Sequence, residues 1–401
     1  MSLFSLILIA TPILTLLWWA WAHWKLGTTV YSRLWRSLLA VFACTHLVGL
    51  VWFVAARRFG ITAIPPRDLI AAVFLWFIVM LPIALSCIAG LVSLYGAMFA
   101  YRKIRERDPA AVPAISNESR RRFLTAAAIA APPLLQTTGL VKGLSSLEDF
   151  RIRRVDIPFA GLPRELDGAR LAHVTDTHTG RFVSPALLMK IAEATNALKA
   201  DAIFFTGDLI DYSLDDLPDS VAAMRAMDAP GGVWMCEGNH DLFDGHAEFE
   251  KRTLAAGVNL LLNEQRGIRI RGVDVQLLGQ RWGEPGVTRD VMLKEHGAKI
   301  AAMADPSRFS ILLAHHPHAF DPARKAGIDL TLAGHTHGGQ LNIWPGIGVA
   351  SMSFDYVSGL YRRPGAAGKS AACMVSNGVG NWFPLRVNAP AEIVEITLRR
   401  A

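Results

Sequence analysis

Three long stretches without a charged residue occupy most of the first hundred positions, at residues 1–24, 37–56 and 69–101. A helix needs about 20 apolar residues to cross the hydrocarbon core of a bilayer, so the first two stretches each fit one crossing. The third is too long for an upright helix and carries Pro82 near its middle, which predicts either one tilted helix or a broken pair. Residues 1–101 are therefore predicted to form an all-α transmembrane region with about three spans.

A basic linker is predicted at residues 102–147. Its first part, 102–108, is rich in Lys and Arg, which marks the cytoplasmic side of a span. Residues 119–124, with the sequence Ser-Arg-Arg-Arg-Phe-Leu, and the charge-free stretch 123–141 resemble a twin-arginine export signal in an unusual internal position. Such a signal, cleaved or not, or an ordinary fourth crossing would carry the rest of the chain out of the cytoplasm. An amphipathic hinge would leave it inside, and the outward topology is the favoured interpretation.

From residue 148 onward, short apolar runs alternate with segments of helical periodicity, and we predict a single domain at 148–401. The first half has a β-α-β-α-β-α order, which is typical of neighbouring parallel strands. After Gly257 strands become denser, so the whole pattern predicts two sheets with helices outside them. The predicted strands are 170–175, 202–206, 233–236, 259–262, 267–270, 273–278, 309–313 and 330–332, and the predicted helices are 185–199, 217–227 and 246–256.

The distribution of charge separates the two halves of the chain. Residues 1–101 hold six basic side chains and one acidic, and residues 102–122 hold seven basic and three acidic; of the net charge of +7, −2 is therefore left for the rest. A nucleic-acid-binding domain would carry the positive excess itself, so a nucleic-acid partner is not expected. The hydrophobic content of 52% excludes disorder, and four scattered cysteines do not indicate a disulfide scaffold.

Five polar clusters each follow an apolar strand of the predicted domain. Because ligands of open α/β sheets bind beyond the carboxyl ends of the strands, these clusters are expected to meet at one rim. Ten of the twelve histidines lie between His173 and His337, and imidazole and carboxylate groups are common ligands of divalent first-row metals. The joint pattern predicts a metal site. The clusters are 176–178 (Asp-Thr-His), 207–211 (Gly-Asp-Leu-Ile-Asp), 238–241 (Gly-Asn-His-Asp), 315–317 (His-His-Pro) and 334–338 (Gly-His-Thr-His-Gly).

This series resembles the calcineurin-like metallophosphoesterase superfamily, over about residues 150–400. The resemblance implies a four-layer α/β/β/α sandwich, here preceded by the transmembrane region. The segments 334–340, 356–361 and 376–380 are similar to a membrane-attached bacterial branch, some members of which carry a twin-arginine signal. The implied location is the bacterial inner membrane, multi-pass, with a periplasmic catalytic domain.

The same resemblance assigns roles to individual side chains. His240 would protonate or stabilise the leaving oxygen, Asp211 would orient His240, and Asp241 would support the loop. Arg281, Arg362 and Arg386 are candidates to bind phosphate, although loop arginines are more often solvated. The implied ligands are Asp176, His178 and His337 for a first metal, Asp208 as a bridge, and Asn239, His315 and His335 for a second.

The implied cofactor is a pair of divalent ions (Mn, Fe or Zn), which would share a water and lower its pKa so that a metal-bridging hydroxide attacks phosphorus. The expected activity is that of a membrane-anchored phosphoesterase acting on a phosphodiester or pyrophosphate, including a phospholipid or a glycolipid like UDP-2,3-diacylglucosamine. That glycolipid faces the cytoplasm, which conflicts with the outward topology. Tyr212 and Asp211 stand where the Ser/Thr phosphatases and the purple acid phosphatases of the superfamily need Arg and Tyr, which argues against both groups.

Three other functions compete with this one. A non-catalytic membrane receptor or scaffold would use the sandwich as a binding module, but it would not need His240 and a complete ligand set. A nuclease is disfavoured by the negative balance of the C-terminal residues. A transporter is disfavoured because the predicted spans contain no charged residue in their interior.

Overall fold

The computed structural model describes residues 3–27, 32–59, 65–105, 118–283, 289–344 and 346–401. The chain divides into two compact units, residues 1–145 and 146–401. The end of the basic cluster and the first part of the linker after it, residues 106–117, lie outside the described residues. The helix that carries the twin-arginine-like motif begins at Glu118.

Almost all described residues of the N-terminal unit are helical. A five-residue π-helical turn, Trp76–Met80, joins α3 to α4, so the third apolar stretch is one continuous helix and not a broken pair. Pro82 falls just after this turn, where the wider helix already changes the hydrogen-bonding pattern that a proline would interrupt. The helices are α1 (Leu3–Leu26), α2 (Ser32–Phe59), α3 (Arg67–Leu75), α4 (Leu81–Arg105) and α5 (Glu118–Ser145).

Among the residues that the structure describes, three helical segments are long and apolar enough to cross a membrane, by length and composition: Ser32–Ala56, Arg67–Tyr101 and Phe123–Ser145. A buried polar contact ties the last of them to the others. The Gln136 amide of α5 donates to the Ala72 carbonyl of α3 at 3.2 Å and lies 2.6 Å from Nε2 of His46 in α2. Polar side chains that are satisfied between apolar helices hold those helices in register. The segment after the twin-arginine-like motif is therefore packed as part of this bundle.

The C-terminal unit contains two six-stranded sheets. The first has the strand order β1-β14-β2-β3-β4-β5 and the second the order β12-β13-β9-β8-β7-β6. Strands β2 to β5 run parallel, as do β7, β8, β9 and β13. The strands are β1 (Arg151–Phe159), β2 (Arg170–Val174), β3 (Ala202–Thr206), β4 (Val233–Cys236), β5 (Asn259–Leu260), β6 (Glu264–Ile270), β7 (Val273–Gly279), β8 (Ser310–Leu313), β9 (Leu330–Ala333), β10 (Asn342–Trp344), β11 (Ile347–Gly348), β12 (Gly359–Pro364), β13 (Ser370–Val375) and β14 (Glu392–Arg400).

Helices cover the outer face of each sheet. Side chains alternate along β3, so Phe204 packs between the two sheets while Ile203 and Phe205 pack beneath the helices. Each of these fully buried side chains contributes about 1.5–3 kcal/mol through the hydrophobic effect. The layer order is α/β/β/α, which confirms the predicted fold class. The helices are α6 (Pro185–Ala197), α7 (Leu217–Arg225) and α8 (His246–Ala255) on the first sheet, and α9 (Arg289–Met303) and α10 (Phe320–Lys325) on the second.

Candidate metal centre

The carboxyl ends of β2, β3, β4, β8 and β9 bring the five polar clusters together. Nε2 of His337 lies 3.2 Å from Oδ1 of Asp176, although the two residues are far apart in the chain. Nε2 of His315 lies 3.0 Å from Oδ2 of Asp208. All seven side chains predicted as ligands are part of this cluster, since Asn239 joins it through a 2.9 Å contact between its Oδ1 and Nδ1 of His335.

The cluster contains three overlapping groups of potential ligand atoms, each group lying within 4.8 Å. Asp208 belongs to two of them, which is the arrangement expected of a carboxylate between two cations. His240, predicted as a catalytic residue, lies in a group with His178 and Asp208. The groups are Asp176–His178–His337, His178–Asp208–His240 and Asp208–His315–His335.

Five of the seven predicted ligands have a left-handed backbone, with φ between 46° and 70°. Non-glycine residues rarely adopt this conformation, which costs of the order of 1–3 kcal/mol per residue. Two glycines allow the chain to approach closely: a Cβ on Gly238 would collide with the Asp208 carboxylate, and one on Gly334 with the Asp176 carboxylate. The surrounding fold therefore holds a strained backbone that directs the ligand side chains inward. The five are Asp176, His178, Asp208, His335 and His337.

Asp241 fixes the loop that carries Asp208. Its buried carboxylate accepts four backbone N–H groups, from Gly238 at 2.8 Å, Asp208 at 3.0 Å, Leu209 at 2.7 Å and Ile210 at 3.1 Å. One side chain thus ties the end of β3 to the end of β4. This contact set matches the supporting role expected for Asp241.

Replacing Asp241 with Ala should lower the melting temperature of the full-length protein by about 6–12 °C. Four buried donors would lose their acceptor, a loss of about 3 kcal/mol for a unit of this size. Thermal melting in detergent measures the change. The matched control is Asp274→Ala, because Asp274 is exposed on β7 and pairs only at the surface. Equal melting temperatures for the two variants would contradict this role.

Burial and the neighbouring carboxylates act in opposite directions on the pKa values of the histidines predicted as ligands. Burial lowers the pKa of His335 to about 3 and that of His337 to about 4. Burial also opposes protonation of His178 and His315, but the neighbouring carboxylates outweigh it. Asp176 and Asp211 raise the pKa of His178 to about 10, and Asp208 and Asp176 raise that of His315 to about 9. The metal-free centre therefore holds protons where a metal would place positive charge.

The metal-free protein should lose stability as the pH rises. An unfolded histidine has a pKa of about 6.5, so the stabilisation from His178 and His315 is complete below that pH and disappears as the pH passes through about 9 and 10. Thermal melting of chelator-treated protein from pH 6.5 to 9.5 should show a falling melting temperature. Saturating Mn(II) should reduce this slope, because the cation replaces the protons. A melting temperature that rises with pH in the metal-free sample would contradict the assignment.

The geometry of the ring nitrogens fits a bound cation. Nε2 of His178 and Nε2 of His337 lie 2.9 Å apart, and two such atoms can share only one proton. Nε2 of His315 is buried near Asp208 without the angles of a hydrogen bond. Lone pairs that converge in this way are satisfied when a divalent ion binds them, so the residues present fit a metal centre.

His240 stands at the open side of the cluster, with 19% of its side chain exposed. Its Nδ1 lies 2.7 Å from the main-chain oxygen of Asp211, whereas the Asp211 carboxylate is 3.4 Å away. The orienting contact predicted for Asp211 is thus made mainly by its carbonyl group. The carboxylate instead accepts a 2.6 Å hydrogen bond from Nε of Arg181, a residue that no sequence pattern indicated. With Nδ1 donating to the carbonyl, Nε2 of His240 remains to exchange a proton.

Arg386 is half-buried and supports the site, because protein groups take up the donors that a phosphate would need. Its NH2 group lies 3.0 Å from Nδ1 of His337, and its other donors bind the carbonyls of Asn377 and Ala389 and the Asn381 side chain. Burial lowers the pKa of this guanidinium to about 10. Arg281 likewise serves a structural role, since it pairs with Glu250.

Trp282, which no sequence pattern indicated, borders one side of the cluster. The Trp282 ring lies 5.4 Å from the ring of His315 and 5.0 Å from that of His335. The buried Glu237 side chain accepts the main-chain N–H of Trp282 at 2.9 Å, which fixes the backbone that carries this ring. The His316 ring lies beside that of His335, with 5.1 Å between the ring centroids, so His316 is a neighbour of the predicted ligands.

Residues 169–339 match the family model described as calcineurin-like phosphoesterase. An uncharacterized metallophosphoesterase of Campylobacter jejuni is 29% identical over 256 residues, covering 64% of this chain and 65% of that protein. A transmembrane protein with metallophosphoesterase domain from Danio rerio is 29% identical over 321 residues, covering 77% of this chain and 69% of that protein. The chain thus spans only about two thirds of the length of these relatives. Among solved structures, a 5'-nucleotidase from Candida albicans covers 56% of this chain and 47% of its own, with a TM-score of 0.32 and 13% identity.

Proposed function

We propose that this protein, whose residues 169–339 match the calcineurin-like phosphoesterase family model, is a membrane-anchored, two-metal hydrolase of phosphodiester or pyrophosphate bonds. The supporting observation is that the seven proposed ligand side chains lie in one cluster, in which Asp208 belongs to two of the three ligand groups. A non-catalytic scaffold would need neither this cluster nor His240 at its open side.

The proposed ligands divide into two sets that share Asp208. Two divalent ions, Mn, Fe or Zn, would supply Lewis-acid activation of water and neutralise charge on the phosphate oxygens. The chain's own contribution is a preorganised set of donors whose positions are fixed by strained backbone and buried hydrogen bonds. The first set is Asp176, His178 and His337, and the second is Asn239, His315 and His335.

His240 is proposed to deliver the proton that the leaving oxygen needs. Its ring is held on one side by the Asp211 carbonyl and packs against Phe243 with 4.7 Å between ring centroids. A histidine in this position contributes about 10²–10⁴-fold through general acid catalysis. Because Asp211 holds Nδ1, the reacting proton is carried at Nε2.

The proposed substrate is lipid-linked or lies close to a membrane, because apolar helices long enough to span a bilayer precede the catalytic unit. A phospholipid and a glycolipid like UDP-2,3-diacylglucosamine both fit this description. The outward topology and the twin-arginine-like segment favour a phospholipid or small phosphodiester on the periplasmic side of a bacterial inner membrane. A topology reporter fused to the C-terminus tests the side directly, since an active periplasmic reporter agrees with this proposal and an active cytoplasmic one contradicts it.

Substrate class is tested by a screen of the full-length protein in detergent with Mn(II), Fe(II) or Zn(II). The substrates are bis(4-nitrophenyl) phosphate, a UDP-sugar, 4-nitrophenyl phosphate and phospholipid in mixed micelles. We expect turnover of a diester or pyrophosphate that exceeds monoester turnover and disappears with chelator. Metal-loaded protein that cleaves none of the four would contradict the proposal.

A further inference from the structure

A cavity of about 670 Å³ lies at the edge of the first sheet, beside the loop that carries His337. Its size is that of a pocket for a small molecule. No carboxylate is present among its lining residues in the described part of the chain. The lining includes Arg151, Arg153, Gly338, Ser358, Asn377 and Asn388.

The order of the strands places this cavity on the same rim as the metal centre. Strand β14 runs antiparallel to β2, so Glu392, its first residue, lies beside the carboxyl end of β2, where Asp176 follows. Strand β1 runs parallel to β14 and pairs Arg151 with Glu392. With strands spaced by about 4.8 Å, Arg151 lies about 10 Å along the rim from the end of β2. The loop 376–380 connects the two positions, because Gly380 donates to the carbonyl of Asp176 and Gly378 accepts from Glu392.

The two arginines give the cavity a positive charge. Arg151 and Arg153 alternate onto the same face of β1, and both pair with one buried carboxylate, that of Glu392, at 2.8 Å and 3.3 Å. Two guanidinium groups therefore share a single negative charge. Each guanidinium has five N–H donors, and Glu392 accepts two from Arg151 and one from Arg153, so donors remain on both for a ligand. Paired guanidinium groups are suited to phosphate or carboxylate oxygens.

We infer that this cavity is a second anion subsite, which binds one phosphate group of the substrate while another is held at the metal centre, about 10 Å away along the rim. The inference rests on the proposed function, because it takes the metal centre as the place of hydrolysis. It narrows the substrate class to molecules with two anionic groups. A soluble bisphosphate and a lipid headgroup with two phosphates share this chemistry.

The test compares ligands that differ by one phosphate, as competitors of bis(4-nitrophenyl) phosphate hydrolysis by the full-length, Mn(II)-loaded protein. The soluble pair is fructose 1,6-bisphosphate and fructose 1-phosphate. The lipid pair is phosphatidylglycerophosphate and phosphatidylglycerol in mixed micelles. At least one pair should show tighter inhibition by the doubly phosphorylated member, by about tenfold or more. If only the lipid pair does so, the anion comes from a membrane lipid; if the soluble pair does so, no lipid is required.

The variants are Arg151→Gln and Arg153→Gln, made singly so that Glu392 keeps one arginine. Each should reduce the preference for the doubly phosphorylated ligand by about tenfold, while turnover of bis(4-nitrophenyl) phosphate changes little. The matched control is Arg154→Gln, because Arg154 faces the other side of β1, is 73% exposed and pairs with Glu395. An unchanged preference in both arginine variants, or the absence of any preference in the wild type, would overturn the inference.

A failure of the proposed function can be distinguished from a failure of this subsite. If the wild-type protein does not hydrolyse bis(4-nitrophenyl) phosphate, the hydrolytic function is wrong, and calorimetric titration of fructose 1,6-bisphosphate and of phosphatidylglycerophosphate micelles then tests the cavity alone. Binding that weakens about tenfold in Arg153→Gln and is unchanged in Arg154→Gln would support the anion site. Binding that is absent, or equal in all three proteins, would refute it.

Discussion

Replacing Asp208 with Asn should reduce turnover by about 10³-fold and weaken metal binding at both proposed sites. The substitution keeps the shape of the side chain but removes the charge between Nε2 of His315 at 3.0 Å and Nε2 of His178 at 3.5 Å. Metal catalysis supplies several kcal/mol of charge stabilisation, and each 1.4 kcal/mol corresponds to about tenfold in rate. The same carboxylate accepts the main-chain N–H of His240 at 2.8 Å, so its charge also anchors the loop that carries His240.

Steady-state kinetics and metal content of the purified variant measure this effect. Asp274→Asn is the matched control, since that carboxylate is exposed on the outer strand pair of the second sheet. The control should retain wild-type turnover and metal content. Full activity in Asp208→Asn would show that the shared carboxylate has no part in the chemistry.

Replacing His240 with Ala should lower kcat by about 10²–10⁴-fold while the protein keeps its metals. The reason is geometric: His240 stands at the open side of the cluster, and its Nδ1 is already engaged by the Asp211 carbonyl. A substrate with an alkoxide leaving group needs the proton more than one that releases 4-nitrophenolate. The loss should therefore be larger for the alkoxide substrate.

The comparison of two leaving groups separates proton transfer from a general disturbance of the loop. His246→Ala, at the start of α8, serves as the control and should behave like the wild type. A uniform loss on both substrates, accompanied by loss of metal, would assign His240 a structural role. Unchanged kcat would show that His240 takes no part in the reaction.

The local hydrophobic pattern was sufficient to predict inner strands of the first sheet. The bounds of β3 and β4 agree with the predicted 202–206 and 233–236, because each is a short apolar run with a glycine one or two residues beyond its end. Strand β1 was not predicted, since its exposed edge alternates arginine with aliphatic residues and reads as a polar segment. Strand β14 inserts between β1 and β2 from the far end of the chain, a pairing for which no local pattern exists.

The residues of the candidate site that belong to the five short sequence motifs could be predicted. The seven predicted ligands and His240 stand in short clusters at strand ends, and the fold brings these side chains together. Arg181 and Trp282 were not assigned to the site, because their contacts depend on tertiary neighbours. Arg386 was predicted only as a candidate to bind phosphate, whereas the structure places it against His337. The role of Asp211 was predicted, but not the atom involved, because its main-chain carbonyl and not its carboxylate makes the shorter contact with His240.

The central claim is that these side chains hold two cations, and metal content measures it most directly. Full-length protein in detergent, loaded with Mn(II), Fe(II) or Zn(II) and freed of excess metal, is to be analysed by inductively coupled plasma mass spectrometry. We expect about two ions per chain for at least one of these metals in the wild type and a clear loss in Asp208→Asn. Fewer than one ion per chain with every metal, in protein that is fully folded, would contradict the account.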